Sequence, residues 1–258
     1  MAISVITGGA SGIGYACAQE LLRRGDRVVI ADLPGQREKA KALGSEVLFY
    51  ACDVADAGQV ESVAAMIWKE VGAADNLVNS AGVFQRPLRP EELPQDDWDR
   101  VTTVDQRGTY LCCLAFGRRM AQRGSGSIVN IASIAGSRSM PLHAYAPAKA
   151  AVISMSQCLA TEWGRSGVRV NSVSPGYTLT PALQDAIDNG ERDPSNLIDN
   201  SALGRLIKPE EIASGVEFLT SGRASAITGI DLPIDAGWLV GTTWATYSGN
   251  PQARSAAQ

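Results

Sequence analysis

The chain has 258 residues, 45% of them hydrophobic, a formal charge of −4 and a single histidine, His143. That is apolar content enough for one large α/β domain, and mild acidity without a basic run argues against nucleic acid as a partner. One histidine excludes a histidine-based metal cluster, so no metal is expected, and it leaves a Ser-His-Asp triad only that residue to rest on.

Taken in chain order, short β-branched runs alternate with longer amphipathic ones. “ISVIT” predicts a strand and residues 12–24 a helix. “RVVIAD” and a helix over 36–43 follow, then “EVLFYACD” and a helix over 57–71. “NLVNSAG” is the next strand, then a long helix over 97–122, “GSIVNIAS”, a helix running from Tyr145 to about 163, and “VRVNSVSPG”. The polar stretch 181–205, with turn formers in its middle, predicts a mobile flap. A helix over 209–220 and the strand “GIDLPIDAG” complete the series.

Seven strands alternating with helices predict a doubly wound parallel sheet covered on both faces. No linker divides it, so residues 1–240 are expected to form one domain, with a C-terminal extension over 241–258 whose end, “NPQARSAAQ”, is expected to fray. No run of 18 apolar residues and no leader-like N-terminus occurs, so neither a membrane span nor secretion is expected and the cytoplasm is the default. The five cysteines, Cys17, Cys52, Cys112, Cys113 and Cys158, form no C-x-x-C pair and fall in apolar segments, which is the usage of reduced, structural thiols.

The first strand runs into “TGGASGIG”, Thr7 to Gly14, and directly into a helix. Glycines at Gly8, Gly12 and Gly14 allow a tight turn and close approach of a pyrophosphate to the N–H groups of the helix. The spacing is G-x-x-x-G-x-G, and alone it also suits any tight strand-to-helix turn. Asp32 ends the second strand, where a carboxylate accepts from both hydroxyls of an adenine ribose; capping the turn before Pro34 is its alternative duty. With no Arg or Lys at 31–34 or in the glycine turn, NAD is expected over NADP.

“YAPAK” sets Tyr145 and Lys149 four apart, on one helical face. Pro147 is tolerated only in a helix's first turn, so the helix must start near 143–145. Such a pair is by itself often an amphipathic surface pair. At the mouth of a dinucleotide site it has a chemical use. An ammonium roughly 5 Å from a phenol, at an effective dielectric of about 20, favours phenolate by about 3 kcal/mol, or some two pKa units. Ser133, at the end of “GSIVNIAS”, offers a hydroxyl to steady a substrate oxygen while Tyr145 exchanges the proton.

In “TGGASGIG”, “CDV”, “NSAG”, “IAS”, “YAPAK”, “SPGYTLT” and “ITGIDLPIDAGW” the chain resembles the short-chain dehydrogenase/reductase family in its single-domain form, over about Ser4 to Trp238. The resemblance implies a Rossmann fold with Ser133, Tyr145 and Lys149 catalytic, Lys149 also holding the nicotinamide ribose. It implies cofactor contacts from Gly8, Ser11, Gly12, Ile13, Gly14, Asp32 and Leu33, with Asp53 and Val54 flanking the adenine. Asn79, Ala81 and Gly82 would line the centre of the cofactor, and Pro175, Gly176, Thr178 and Thr180 would close over nicotinamide and pyrophosphate. A homo-oligomer, dimer or tetramer, built on the two long helices is implied as well.

Two positions depart from the family pattern. Ser80 replaces a second asparagine, a mild change. Asp105 stands where an asparagine ordinarily supports a water-linked proton relay to the lysine, and a carboxylate there would compete for the charge of Lys149 and raise the tyrosine pKa. The expected function is NAD-dependent interconversion of a secondary alcohol, a polyol, sugar or small hydroxy compound, and its ketone. A cofactor-binding regulatory subunit without turnover, and reduction of an oxoacyl or steroid-like carbonyl, are the alternatives. The substrate is expected to meet residues 83–86, 137–143, Tyr177 and the flap, His143 either touching it or facing solvent. “GWLVGTTWATY” is expected to pack on a neighbouring subunit.

Overall fold

The computed structural model describes residues 1–251, so the end of the tail expected to fray lies outside the described residues. Seven strands, β1 (Ile3–Thr7), β2 (Arg27–Asp32), β3 (Leu48–Ala51), β4 (Asn76–Asn79), β5 (Gly126–Ile131), β6 (Val168–Pro175) and β7 (Asp231–Ile234), pair in parallel in the order β3-β2-β1-β4-β5-β6-β7. The expected doubly wound sheet is present. Parallel strands need helical crossovers, which cover both faces, so neighbouring residues of one strand both become core. In β1, Val5 faces a cluster with Val63, Ile67, Cys112, Phe116 and Met120. Ile6 faces the opposite cluster with Cys17, Leu21, Ile212, Val216 and Leu219.

The first helix, α1 (Gly12–Arg23), is followed by α2 (Arg37–Lys41) and α3 (Ala57–Glu70). α2 starts one residue later than expected because Pro34 opens a separate 3-10 turn, Pro34–Gln36, ahead of it, and it ends two residues early, at Lys41. The long helix expected over 97–122 is in fact three pieces: α4 (Gln95–Val101), a π turn (Thr102–Gly108) and α5 (Thr109–Arg123). The wider turn carries Asp105 inward to full burial, and its carbonyl accepts the Thr109 hydroxyl at 2.7 Å. Single π turns inside α-helices commonly sit at functional sites.

Beyond β5 comes α6 (Tyr145–Gly164), starting where Pro147 required. The polar flap contains two short helices, α7 (Pro181–Asp188) and α8 (Pro194–Asp199), joined through the turn formers in its middle. The remaining helices are α9 (Pro209–Thr220) and α10 (Trp238–Gly241). Four cysteines are buried as expected, but Cys158 is exposed, because its position on α6 turns away from the sheet. Among the described residues no helix is long and apolar enough to cross a membrane.

From β1 the chain builds outward through β2 to β3 and then crosses back to β4 on the other side of β1. The crossovers leaving these two neighbours diverge, which opens a crevice beyond their carboxyl ends, the place where such sheets bind ligands. At its floor a Cβ on Gly14 would collide with the Gly8 carbonyl. Gly14→Ala should therefore destabilise the fold by about 1–3 kcal/mol, a loss of several degrees in melting temperature, which thermal unfolding will measure.

Candidate active site

A cleft of about 1500 Å3 runs along the carboxyl ends of the strands. That exceeds the roughly 300–1,000 Å3 typical of a single small ligand, leaving room for a dinucleotide and a substrate. Its walls include most of the residues expected to hold a cofactor: Gly8, Ser11, Gly12, Ile13, Asp32, Leu33, Asp53, Val54, Ala81, Gly82, Pro175, Gly176, Thr178 and Thr180. The Thr7 hydroxyl accepts N–H groups from Ser80 and Ala81, each at 3.2 Å, and so latches the end of β4 to β1. Gly8, at φ +64°, lies so close to β4 that a Cβ would stand 2.6 Å from Ala81 Cα.

Ser11 precedes α1 in extended conformation without making a side-chain cap. The leading N–H groups of this helix are thus left for an anion, and the glycine turn has no side chains to block its approach. Asp32 has two local partners, Ala10 N–H at 3.0 Å and Leu33 N–H at 2.8 Å, one on each carboxylate oxygen. Each oxygen keeps a lone pair, so the carboxylate both braces the glycine turn and remains able to accept ribose hydroxyls.

Two expected cofactor residues sit behind the wall. Gly14 serves the packing of the turn against Gly8. Asn79 is buried, and its amide donates to Asn130 Oδ1 at 2.8 Å and Cys113 Sγ at 3.2 Å, because β4 turns this side chain across the sheet toward β5. Asn130 in turn donates to Ser156 Oγ at 2.9 Å on α6. Ser80 lines the cleft in its place.

At the other end stand Ser133, Tyr145 and Lys149, with Asp105 beneath them. Ser133 Oγ accepts the Ala135 N–H at 3.1 Å, which leaves its proton free to bond the phenol oxygen of Tyr145. Lys149 Nζ lies 5.4 Å from the centre of the Tyr145 ring. It donates to the Ile131 carbonyl at 3.0 Å and pairs with Asp105 Oδ2 at 3.1 Å, so one of its three protons remains for a ligand. Asp105 Oδ1 accepts the Val83 N–H at 2.8 Å.

The electrostatics correct the expectation for the phenol. Burial is the largest influence on Tyr145 and pushes its pKa up; Lys149 pulls it down, Asp105 pushes it up again, and Ser133 favours the ionised form. The outcome is a phenol held above its ordinary range, since spacing reveals the neighbouring cation but not the desolvation. Burial disfavours the Lys149 ammonium, yet Asp105 and Tyr145 outweigh it and keep the lysine charged.

The substrate end is lined by Val83, Phe84, Arg86, Leu88, Met140, Pro141, Leu142 and Tyr177, together with flap residues including Leu183 and Arg192. Gln85, expected with its neighbours, is buried instead and accepts the backbone N–H groups of Ala144 and Tyr145. His143 and residues 137–139 border a separate cavity of about 370 Å3, so this loop shows the cleft only residues 140–142. The segment after β7 folds back on its own chain: Trp238 meets the Tyr177 ring edge-on at 5.5 Å, and Asn250, in the C-terminal extension, donates to the Asp199 carbonyl at 2.9 Å. Val240, Trp244 and Tyr247 stay exposed.

A family model described as enoyl-(acyl carrier protein) reductase matches residues 8–239. D-threitol dehydrogenase of Mycolicibacterium smegmatis is 40% identical, over 92% of this chain and 93% of its own. The chain belongs to the short-chain dehydrogenase/reductase family. Among solved structures, a ribose-5-phosphate isomerase from Brucella melitensis 16M is 51% identical with a TM-score of 0.94, covering 97% of each chain. The structure of ElxO with NADP bound is 32% identical with a TM-score of 0.88, over 92% of this chain and 98% of that one.

Because Asp105 helps to hold the Tyr145 pKa up, its removal has a definite sign. In Asp105→Asn the phenolate forms at lower pH, so the rising limb of kcat/KM for alcohol oxidation should move toward acid, as a pH-rate profile will show.

Proposed function

We propose that this chain is an NAD-dependent dehydrogenase that interconverts a secondary alcohol, of polyol or sugar-like type, and its ketone. The observation that carries this reading is the convergence of Tyr145, Ser133 and Lys149 at one end of a cleft whose other end is the glycine turn and Asp32. The residues fit a dinucleotide. The glycine turn is held at positive φ, +64° at Gly8 and +52° at Gly12, with no side chain at either to block an anion, the start of α1 offers uncapped donors, and Asp32 retains lone pairs. Leu33, Gln36, Asp53 and Ala55 surround Asp32 without a cation among them, which supports NAD, since a 2′-phosphate would face a carboxylate unaided.

When bound, the nicotinamide would supply the group that takes or gives hydride. Tyr145, as phenolate, takes the hydroxyl proton of the alcohol and becomes the phenol; in the reverse direction the phenol gives that proton back. The Ser133 hydroxyl orients the substrate oxygen, and Lys149 stabilises the phenolate. The D-threitol relative supports a polyol, as do the mixed apolar and hydrogen-bonding walls at Val83, Phe84, Arg86, Leu88 and Tyr177. Five unpaired thiols support a reducing, cytoplasmic setting. The exposed Tyr110 and Leu114 on α5, with Trp244 and Tyr247, support a homo-oligomer.

The isomerase relative favours a second reading, aldose-ketose isomerisation of a sugar phosphate at the same Tyr145. That reaction gives the Asp32 half of the cleft no task, which is why the dehydrogenase reading is preferred. A regulatory subunit without turnover would have no use for an intact Ser133, Tyr145 and Lys149.

A spectrophotometric screen of polyols and hydroxy compounds, with NAD and NADP in parallel, should find reduction of NAD by at least one polyol. Silence across the screen, with ribose 5-phosphate isomerised when no nicotinamide is added, would favour the second reading. Tyr145→Phe should lower kcat by about 10²- to 10⁴-fold and spare NAD binding. Size-exclusion chromatography with light scattering should report an assembly larger than one chain.

A further inference from the structure

A helix leaves its first N–H groups without intrahelical partners, and burial makes each of them costly to neglect. At the start of α6, Pro147 has no N–H, and the Ala146 N–H reaches the Leu142 carbonyl at 2.9 Å. The two that remain belong to Ala144 and Tyr145. The residue at the cap position is Ala144, which has no side chain able to accept them.

Gln85 supplies the acceptor from sixty residues away in sequence. Its Oε1 takes the Ala144 N–H at 2.8 Å and the Tyr145 N–H at 3.1 Å, and the residue is 2% exposed. The same short segment touches the site at two further points. Val83 N–H is held by Asp105, and the Phe84 ring lies 5.2 Å from the Tyr145 ring at a tilt of 55°.

We propose that Gln85 is a positioning residue for Tyr145, fixing the first turn of α6, and with it the phenol, by capping the helix from behind the wall of the substrate pocket. The inference rests on Tyr145 being the acid/base residue. The choice of an amide over a carboxylate carries the point further. Glutamate would accept both N–H groups and suit the positive end of the helix. Glutamine does so at the cost of a buried Nε2 that has no partner. What the amide avoids is a second buried negative charge beside a phenol on which Lys149 of α6 and Asp105 of the π turn already act.

The test uses the full-length protein and two variants, with the alcohol found in the screen. Gln85→Leu should lower kcat about tenfold or more while the NAD dissociation constant, read by fluorescence quenching, changes less than about twofold. Gln85→Glu, which keeps the cap, should recover kcat to within about threefold of wild type at alkaline pH, with its profile displaced to higher pH. A Gln85→Leu enzyme with unchanged kcat, or one that loses turnover and NAD affinity in proportion, overturns the proposal. So does a Gln85→Glu profile that is not displaced, and this variant alone decides if the leucine protein does not fold. Should wild type turn over no alcohol, the dehydrogenase reading fails separately. The ultraviolet titration of Tyr145, taken as the difference from Tyr145→Phe, then still reports on Gln85: a displaced titration in Gln85→Glu supports the role, and an unmoved one refutes it.

Discussion

The ammonium of Lys149 is the constraint around which this site is organised. It is 5% exposed, and stripping water from a charge costs several kcal/mol even after the protein relaxes. Two groups repay that cost, the Ile131 carbonyl at the end of β5 and the Asp105 carboxylate. Asp105 arrives on the π turn at Thr102–Gly108, where the helix widens. Room on its other side comes from Gly82, where a Cβ would come within 3.1 Å of Asp105 Oδ2. Removing one member of a buried pair typically costs about 3–5 kcal/mol, because the charge left behind is uncompensated, so each of the two requires the other.

Much of this was legible from residue order. Strands announced themselves as β-branched runs because a parallel sheet buries both faces, and α6 announced its start because Pro147 has only one comfortable place in a helix. Asp105 was legible as a charge near Lys149, but the π turn was not. An α-helix and a π turn differ by one residue in hydrogen-bond step, too small a difference for side-chain spacing to reveal, and the close approach of Gly108 to Val54 at the end of the turn is a tertiary contact that residue order does not show. The sign of the Tyr145 shift was missed for a related reason: spacing places a cation beside the phenol but carries no measure of water exclusion.

Gln85 shows a different limit. A glutamine in a loop after “NSAG” reads as one more polar wall residue, and nothing in its own neighbourhood marks it as buried. The available signal lay sixty positions later, in a helix that begins with Ala144 and Tyr145 and offers no cap of its own. His143 is the converse, a residue whose chemistry invited a role that the path of the loop denies it.

The polar chain from Asn79 through Asn130 to Ser156 bears on how α6 is seated. A helix lying on purely aliphatic side chains can roll or slide by small amounts with little penalty, because dispersion contacts have weak angular preference. The donation from Asn130 to Ser156, and the bond from Asn79 that holds Asn130 in place, remove that freedom. They key the helix to the sheet in rotation as well as in depth, two turns below the ammonium of Lys149, much as a spline locks a shaft.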